Sequence, residues 1–201
     1  MVGSEVVMTQ ALQVSQGFTY SDYQGWPDSE RWEIIDGQAF SMTPAPSIRH
    51  QKVSSRIYDR IRPVVGNGCD LFYAPCDVVL DEENVVQPDL FIVCDQSKIG
   101  EQAITGAPDV VFEISSPSTA SKDRTVKYAL YERFGVKEYV LIHPSHGYAE
   151  VFRLNNHKYA NAEICTTEQT LSITHPAMEI HMSEIFEQPE TKAPVNKPQV
   201  E

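Results

Sequence analysis

Three residues carry the chemistry open to this chain: Asp89 in Gln87-Pro88-Asp89-Leu90-Phe91-Ile92-Val93, Glu113 in Val110-Val111-Phe112-Glu113-Ile114, and Lys127 in Asp123-Arg124-Thr125-Val126-Lys127. Both acids adjoin runs of β-branched, aromatic or other apolar residues that read as strands. An ionised carboxylate in an apolar strand costs several kcal/mol, roughly, unless a cation or a set of hydrogen bonds compensates it. Two such acids 24 positions apart, with a lysine 14 positions beyond the second, point to a divalent-metal site with an ammonium beside it. Hard oxygen donors suit Mg2+, with Mn2+ as a substitute, because magnesium keeps several waters and needs only one or two protein carboxylates plus substrate phosphate. The peptide carbonyl of Ile114 adds a third donor. The competing reading takes Asp123 and Lys127, one helical turn apart, as a surface ion pair worth a few tenths of a kcal/mol, roughly.

The elements that must position these residues follow from the pattern around them. Asp36-Gly37 between Trp32-Glu33-Ile34-Ile35 and Gln38-Ala39-Phe40-Ser41-Met42 suits a type I′ turn, so an N-terminal β-hairpin is predicted. From Ser47, a helix N-cap, Val53, Ile57, Ile61 and Val64 recur at helical spacing until Gly66 and Gly68, which predicts a helix at about 48–65. Arg49, Lys52, Arg56 and Arg60 form a basic stripe on the same helix and are its phosphate-contacting candidates, although an isolated stripe of this kind is first read as a solvated face. Strands are expected at 70–74, 77–80, 90–93 and 110–114, with Asp81 through Asn84 as a turn. A second helix begins after Ser116-Pro117-Ser118-Thr119, buries Val126, Leu130 and Phe134, and stops at Gly135; strands return at 138–142 and 149–154. Strands interleaved with two amphipathic helices give a mixed α/β domain.

Composition sets the limits. The chain has 201 residues, 41% of them hydrophobic, with a net charge of −12. One domain at 18–187 is expected, with a flexible N-terminal tail at 1–17 and a polar, proline-punctuated C-terminal tail at 188–201. No apolar run approaches the roughly 20 residues that span a bilayer, and no secretory leader is seen, so no membrane partner and a cytoplasmic location are expected. The acidic balance argues against coating nucleic acid non-specifically, which leaves local basic patches for any such contact. Cys69, Cys76, Cys94 and Cys165 show neither a C-x-x-C pair nor ligand spacing with histidine, so they are expected to be reduced and mostly in the core.

The ordered set Asp77 to Asp89, Gly106-Ala-Pro-Asp-Val-Val-Phe-Glu113-Ile-Ser-Ser-Pro-Ser-Thr119, Asp123, Lys127, Tyr131 and Gly135-Val-Lys-Glu-Tyr139 resembles the Uma family of restriction-endonuclease-like proteins, within the PD-(D/E)XK nuclease superfamily. The resemblance begins near Thr19, takes in Arg31-Trp-Glu33-Ile-Ile-Asp36-Gly37 and His50, and runs to about Arg153. It implies a restriction-endonuclease-like sheet core flanked by helices, with Asp89 and Glu113 as metal ligands. Glu33 would be an upstream acid that helps to hold the metal or position the site. The superfamily's lysine normally lies two residues after the second acid, where this chain has Ser115, so the resemblance implies that Lys127 has taken over that role. Val140 and His143 depart from the family's usual aromatic and acid. His50 is set apart from the ligands as a capping or packing residue, and Tyr131 is expected to hold the lysine in place.

Two functions follow from these residues. The first is a Mg-dependent deoxyribonuclease in which Asp89, Glu113, Lys127 and Glu33 form the catalytic set and Lys127 helps to activate a water, with DNA as substrate and a homodimer as the arrangement that would cut both strands. The alternative is a non-catalytic nucleic-acid- or protein-binding module on the same fold. A two-carboxylate glycosidase is weaker, because no aromatic sugar platform adjoins either acid.

Overall fold

The computed structural model describes residues 17–27, 29–42, 45–66, 68–117 and 119–186. The expected tails therefore lie outside the described residues, apart from Gly17. The chain opens with the short helix α1 (Tyr20–Tyr23), capped by Thr19, and then the hairpin of β1 (Trp32–Ile35) and β2 (Gln38–Ser41). Asp36 and Gly37 have φ of 51° and 71°, the paired positive values that a type I′ turn demands. Helix α2 (Ile48–Ile61) starts where Ser47 Oγ accepts the His50 amide at 3.2 Å, and it buries Val53, Ile57 and Ile61. Each of those side chains contributes roughly 1.5–3 kcal/mol through burial, so a charge at Ile57 would detach the helix.

Next come β3 (Asp70–Tyr73), β4 (Asp77–Asp81), β5 (Asn84–Val86), β6 (Leu90–Val93), β7 (Ala103–Thr105) and β8 (Val110–Ile114). The turn expected at 81–84 narrows to Glu82 and Glu83, because Asp81 and Asn84 belong to the strands on either side. The crossover to β9 (Glu138–His143) passes through α3 (Ala120–Lys122), a π-helical turn (Asp123–Lys127) and α4 (Tyr128–Phe134). This crossover allows β8 and β9 to lie parallel. The π turn also alters the expected buried stripe: its wider pitch turns Asp123 and Lys127 inward and leaves Val126 36% exposed, so the 126–130–134 repeat does not hold. The strands that follow are β10 (Tyr148–Asn155), β11 (Lys158–Tyr159), β12 (Glu163–Thr166), β13 (Thr170–Thr174) and β14 (Ala177–His181).

These strands form three sheets. One has the order β2-β1-β5-β4-β7; the central one runs β11-β10-β9-β8-β6-β3, with β12 also on β10; the third is the β13–β14 hairpin. Alternation along β8 divides two cores across the central sheet. Val110, Phe112 and Ile114 face α2 and the β13–β14 hairpin, whereas Val111 packs with Phe91, Leu130, Tyr131, Tyr139 and Leu141 toward α4. Cys69 and Cys94 form a disulfide, contrary to the expectation of reduced cysteines. The reason is register: Asp70 faces Val93 in the β3–β6 pair, so the preceding and following cysteines meet, a proximity that spacing along the chain does not reveal. Among the described residues no helix is long and apolar enough to cross a membrane.

Candidate active site

Strand register brings the two acids together. Leu90 of β6 faces Phe112 of β8, so one step further Asp89 lies opposite Glu113 at the sheet edge. Opposed residues of an antiparallel pair have Cβ atoms about 4.5–5.5 Å apart on the same face. Asp89 Oδ2 accepts the Ile114 amide at 2.8 Å and lies 3.1 Å from His50 Nε2. Glu113 Oε1 accepts from Lys127 Nζ and from the Tyr131 hydroxyl, both at 2.8 Å. Among the described residues, the second oxygen of each carboxylate, Asp89 Oδ1 and Glu113 Oε2, has no hydrogen-bond donor.

Glu33 is different. It is fully buried on β1, and Oε1 takes Lys127 Nζ at 2.7 Å and the Gln87 amide at 3.2 Å, while Oε2 takes Lys122 Nζ at 2.6 Å. Both of its oxygens are occupied, so it anchors the two lysines. Lys127 is 3% exposed and Asp123 is 3% exposed, which removes the surface-pair reading; the ammonium bridges Glu33 and Glu113. The pair lies on the same inward face of the helical segment as Leu130 and Tyr131, which are also buried.

The electrostatics follow from burial among like charges. Burial pushes the Glu113 carboxyl up to about 8; Lys127 opposes this, and Asp89, Asp123 and Glu33 add to it. Asp123 is raised for the same first reason. Burial also penalises ionised Glu33, but Lys127 and Lys122 outweigh it and hold this carboxyl below its ordinary range. For Lys127 the desolvation cost is overcome by Glu113, Glu33 and Asp123, which raise it well above the usual lysine value. The raised Glu113 and raised Lys127 pull in opposite senses on one ion pair. Glu33 resolves this, because it stays ionised and keeps Lys127 an ammonium in either state of Glu113.

Four carboxylates (Glu33, Asp89, Glu113, Asp123) face two ammonium groups (Lys122, Lys127), a formal surplus of two negative charges when all are ionised. That surplus, with one donor-free oxygen on each of Asp89 and Glu113, fits a divalent cation. Among the described residues no group of three or more His, Cys, Asp or Glu side chains is placed to hold a metal, so any cation here would have few protein donors.

Sequence reasoning missed two parts of this arrangement. Lys122 carried no signal, since an exposed-looking helix lysine reveals nothing about a partner 89 positions upstream. The His50 ring touches Asp89, and its buried Nδ1 has no hydrogen-bond partner among the described residues. The basic stripe is divided: Arg49 and Lys52 are exposed near the start of α2, whereas Arg56 Nη1 reaches the Ile185 carbonyl at 3.2 Å and Arg60 pairs with Glu184 at 2.9 Å.

A mixed central sheet flanked by helices, with paired acids at one edge and a lysine against them, defines the restriction-endonuclease-like class of α/β proteins. The family model Uma2, described as "Putative restriction endonuclease", matches residues 20–183, and the chain belongs to that family. An "Uncharacterized protein slr1290" from Synechocystis is 30% identical over 115 residues, a stretch that covers 55% of this chain and 60% of that protein's length. The crystal structure of a "putative nuclease belonging to DUF820" from Anabaena variabilis superposes with a TM-score of 0.65 at 19% identity, covering 84% of this chain and 97% of that one. At that identity the likeness establishes the fold.

Proposed function

We propose that this protein is a divalent-cation-dependent nuclease that hydrolyses phosphodiester bonds in DNA. The observation that carries this reading is the asymmetry within each candidate ligand: two donors fix one oxygen of Asp89 and one of Glu113, and the other oxygen is left for a cation. Mg2+, or Mn2+ in its place, would supply Lewis acidity toward the phosphoryl group and lower the pKa of the attacking water. The protein's own groups do the rest. His50 and the Ile114 amide orient Asp89, and Lys127 with Tyr131 orients Glu113. Glu33 is a positioning residue that keeps Lys127 charged. Lys127 therefore acts as a fixed positive charge that orients water and offsets charge developing on the phosphate, not as a base that removes a proton. A homodimer would present two such edges to the two strands of a duplex.

One observation favours the alternative, a non-catalytic nucleic-acid- or protein-binding module: Lys122 and Lys127 neutralise Glu33 as fully as a purely structural ion cluster requires. Calorimetric titration of Mg2+ and Mn2+ into the parent and Glu113→Gln, followed by incubation with supercoiled, linear and single-stranded DNA, separates the two. The nuclease reading expects binding and metal-dependent cleavage by the parent alone. Equal metal binding by both proteins overturns the metal site, and metal binding without cleavage of any substrate favours the module.

A further inference from the structure

The sheet edge that carries Asp89 and Glu113 continues past them. The Ser115 amide bonds to the Ile142 carbonyl at 2.8 Å, so His143 at the end of β9 lies beside the end of β8, and Tyr148 at the start of β10 pairs with His143. There a cavity of about 870 Å³ opens, lined in part by Arg124, His143, His146, Tyr148, Glu150 and Thr167. Its size is that of small-molecule sites, about 300–1,000 Å³.

Its polar groups are arranged unevenly. Buried Glu150 is held from two sides, accepting from Arg124 Nη1 and lying 3.0 Å from His143 Nε2. That fixes Arg124 on the rim while its remaining N–H groups have no partner among the described residues. The His146 ring and the Tyr148 hydroxyl also lack side-chain hydrogen bonds to described residues. His143 and Tyr148 stack with centroids 4.5 Å apart and planes 27° apart, so a rigid aromatic platform lies beside a held guanidinium. Arg124 stands on the same π turn as Lys127, three residues before it. Two strand spacings, about 10 Å, separate the ends of β8 and β10.

We infer that this cavity is a nucleotide subsite: it receives the nucleotide adjoining the scissile phosphate, with the base against Tyr148 and His143 and a phosphate on Arg124. The assignment rests on the nuclease reading for which phosphate is scissile, but the cavity's ligand chemistry stands by itself. Base–aromatic stacking is tolerant of sequence, because every base has a π-face, and guanidinium matches phosphate geometry. The subsite therefore favours unpaired nucleotides without reading their identity. Glu168 also lines the cavity, and its carboxylate disfavours a second phosphate beside it.

The test measures binding without cleavage. The full-length protein in metal-free buffer is titrated with a short 5′-phosphorylated oligothymidylate, its ribose counterpart oligouridylate, and an oligothymidylate carrying one abasic position. Imidazole proton signals of His143 and His146 report occupancy. The parent is expected to bind with both histidines perturbed, and Arg124→Gln and His146→Ala to bind about tenfold or more weakly. Tyr148→Leu should lose the preference for an intact over an abasic position. Comparing the two intact probes shows whether DNA or RNA is preferred. Unchanged affinity in Arg124→Gln and His146→Ala, each shown to be folded by its thermal melt because Arg124 pairs with buried Glu150, would overturn the subsite, as would a parent whose histidine signals do not move. A parent that binds here yet cleaves nothing with Mg2+ would overturn the nuclease reading while leaving the subsite intact.

Discussion

Two buried glutamates on neighbouring strands show what separates a structural acid from a poised one. Glu138 at the start of β9 is 1% exposed and fully matched: Arg153 Nε bonds Oε1 at 2.9 Å, and the amides of Thr174 and His175 bond Oε2 at 2.8 and 3.2 Å. Its partners tie β9 to β10 and β13, so it holds the C-terminal strands to the sheet. Glu113 on β8 is 4% exposed and half matched, with both donors on one oxygen and three further carboxylates nearby. A buried carboxylate with every lone pair engaged has no spare capacity. One with a free oxygen among like charges gains from a proton or a cation, and that difference makes the β8 edge the candidate site and the β9 edge a joint.

The largest expected effect comes from removing the charge that both readings of the site need. Lys127→Met keeps much of the stem packing but leaves Glu33 and Glu113 buried without their shared ammonium. We expect a loss of about 3–5 kcal/mol in urea unfolding at neutral pH, and cleavage reduced by about 100-fold or more. A variant as stable as the parent would show that the cluster is not held by Lys127, and the contrast with Glu138 would lose its basis.

Next is the direct exchange between the two acids. Glu138→Gln should destabilise by about 2–3 kcal/mol, because Arg153 loses its buried partner, while divalent-cation binding persists. Glu113→Gln should do the reverse: cation binding is lost, and the metal-free protein melts at the parent temperature or above, since a neutral amide replaces a carboxyl that burial and neighbouring acids keep from ionising. Calorimetry and thermal melts on both variants decide this. Cation binding that survives in Glu113→Gln, or fails in Glu138→Gln, reverses the assignment.

The pH dependence sharpens the same point. The folded carboxyl of Glu113, raised by burial to about 8 against an ordinary 4.5, binds a proton that the unfolded chain has released. Its contribution is complete below about pH 4.5 and is lost as pH rises toward 8, so the metal-free parent should lose stability across that window. Glu33, lowered in the fold, contributes in the opposite sense, and that part is lost only as pH falls below the carboxylate range. Lys127, raised, keeps its contribution until pH exceeds the usual lysine value. Urea melts from pH 4.5 to 8 should slope downward in the parent and lie nearly flat in Glu113→Gln. Added Mg2+ should flatten the parent, because it holds Glu113 ionised.

Much of this site was legible in the sequence, for a physical reason: an acid inside an apolar strand announces itself by its cost. Asp89 and Glu113 stood out in this way, Lys127 by its place after them and by the family resemblance, and Asp36-Gly37 marked its hairpin through the backbone conformation that the turn requires. What was illegible depends on pairing across the fold. The β3–β6 register that joins Cys69 to Cys94, and the reach of Lys122 from a helix to β1, leave no local trace. The π turn also has no local pattern, so the stripe through Val126 was misplaced. The β13–β14 hairpin was a different kind of miss. Leu171, Ile173, Met178 and Ile180 do alternate with polar residues, a period-two signal that was present and went unread.

The smallest expected effect concerns the basic stripe of α2, where the comparison moves from two acids to two ends of one helix. Arg60 is half-exposed and paired with Glu184, and Arg56 reaches the carbonyl of Ile185, so this end of the stripe fastens the segment that follows β14. Exposed pairs of this kind are worth about 0–1 kcal/mol, and Arg60→Ala should cost no more than that in stability. Its charge is already matched by Glu184, so the dependence of DNA affinity on salt should hardly change. Arg49 is exposed one residue before His50, which touches Asp89, so it stands at the end of the helix nearest the candidate site. If a phosphate is held there, Arg49→Ala should lower the slope of log affinity against log salt by about one. Equal slopes for the parent and Arg49→Ala would return the whole stripe to an ordinary solvated face and leave substrate contact to the sheet edge.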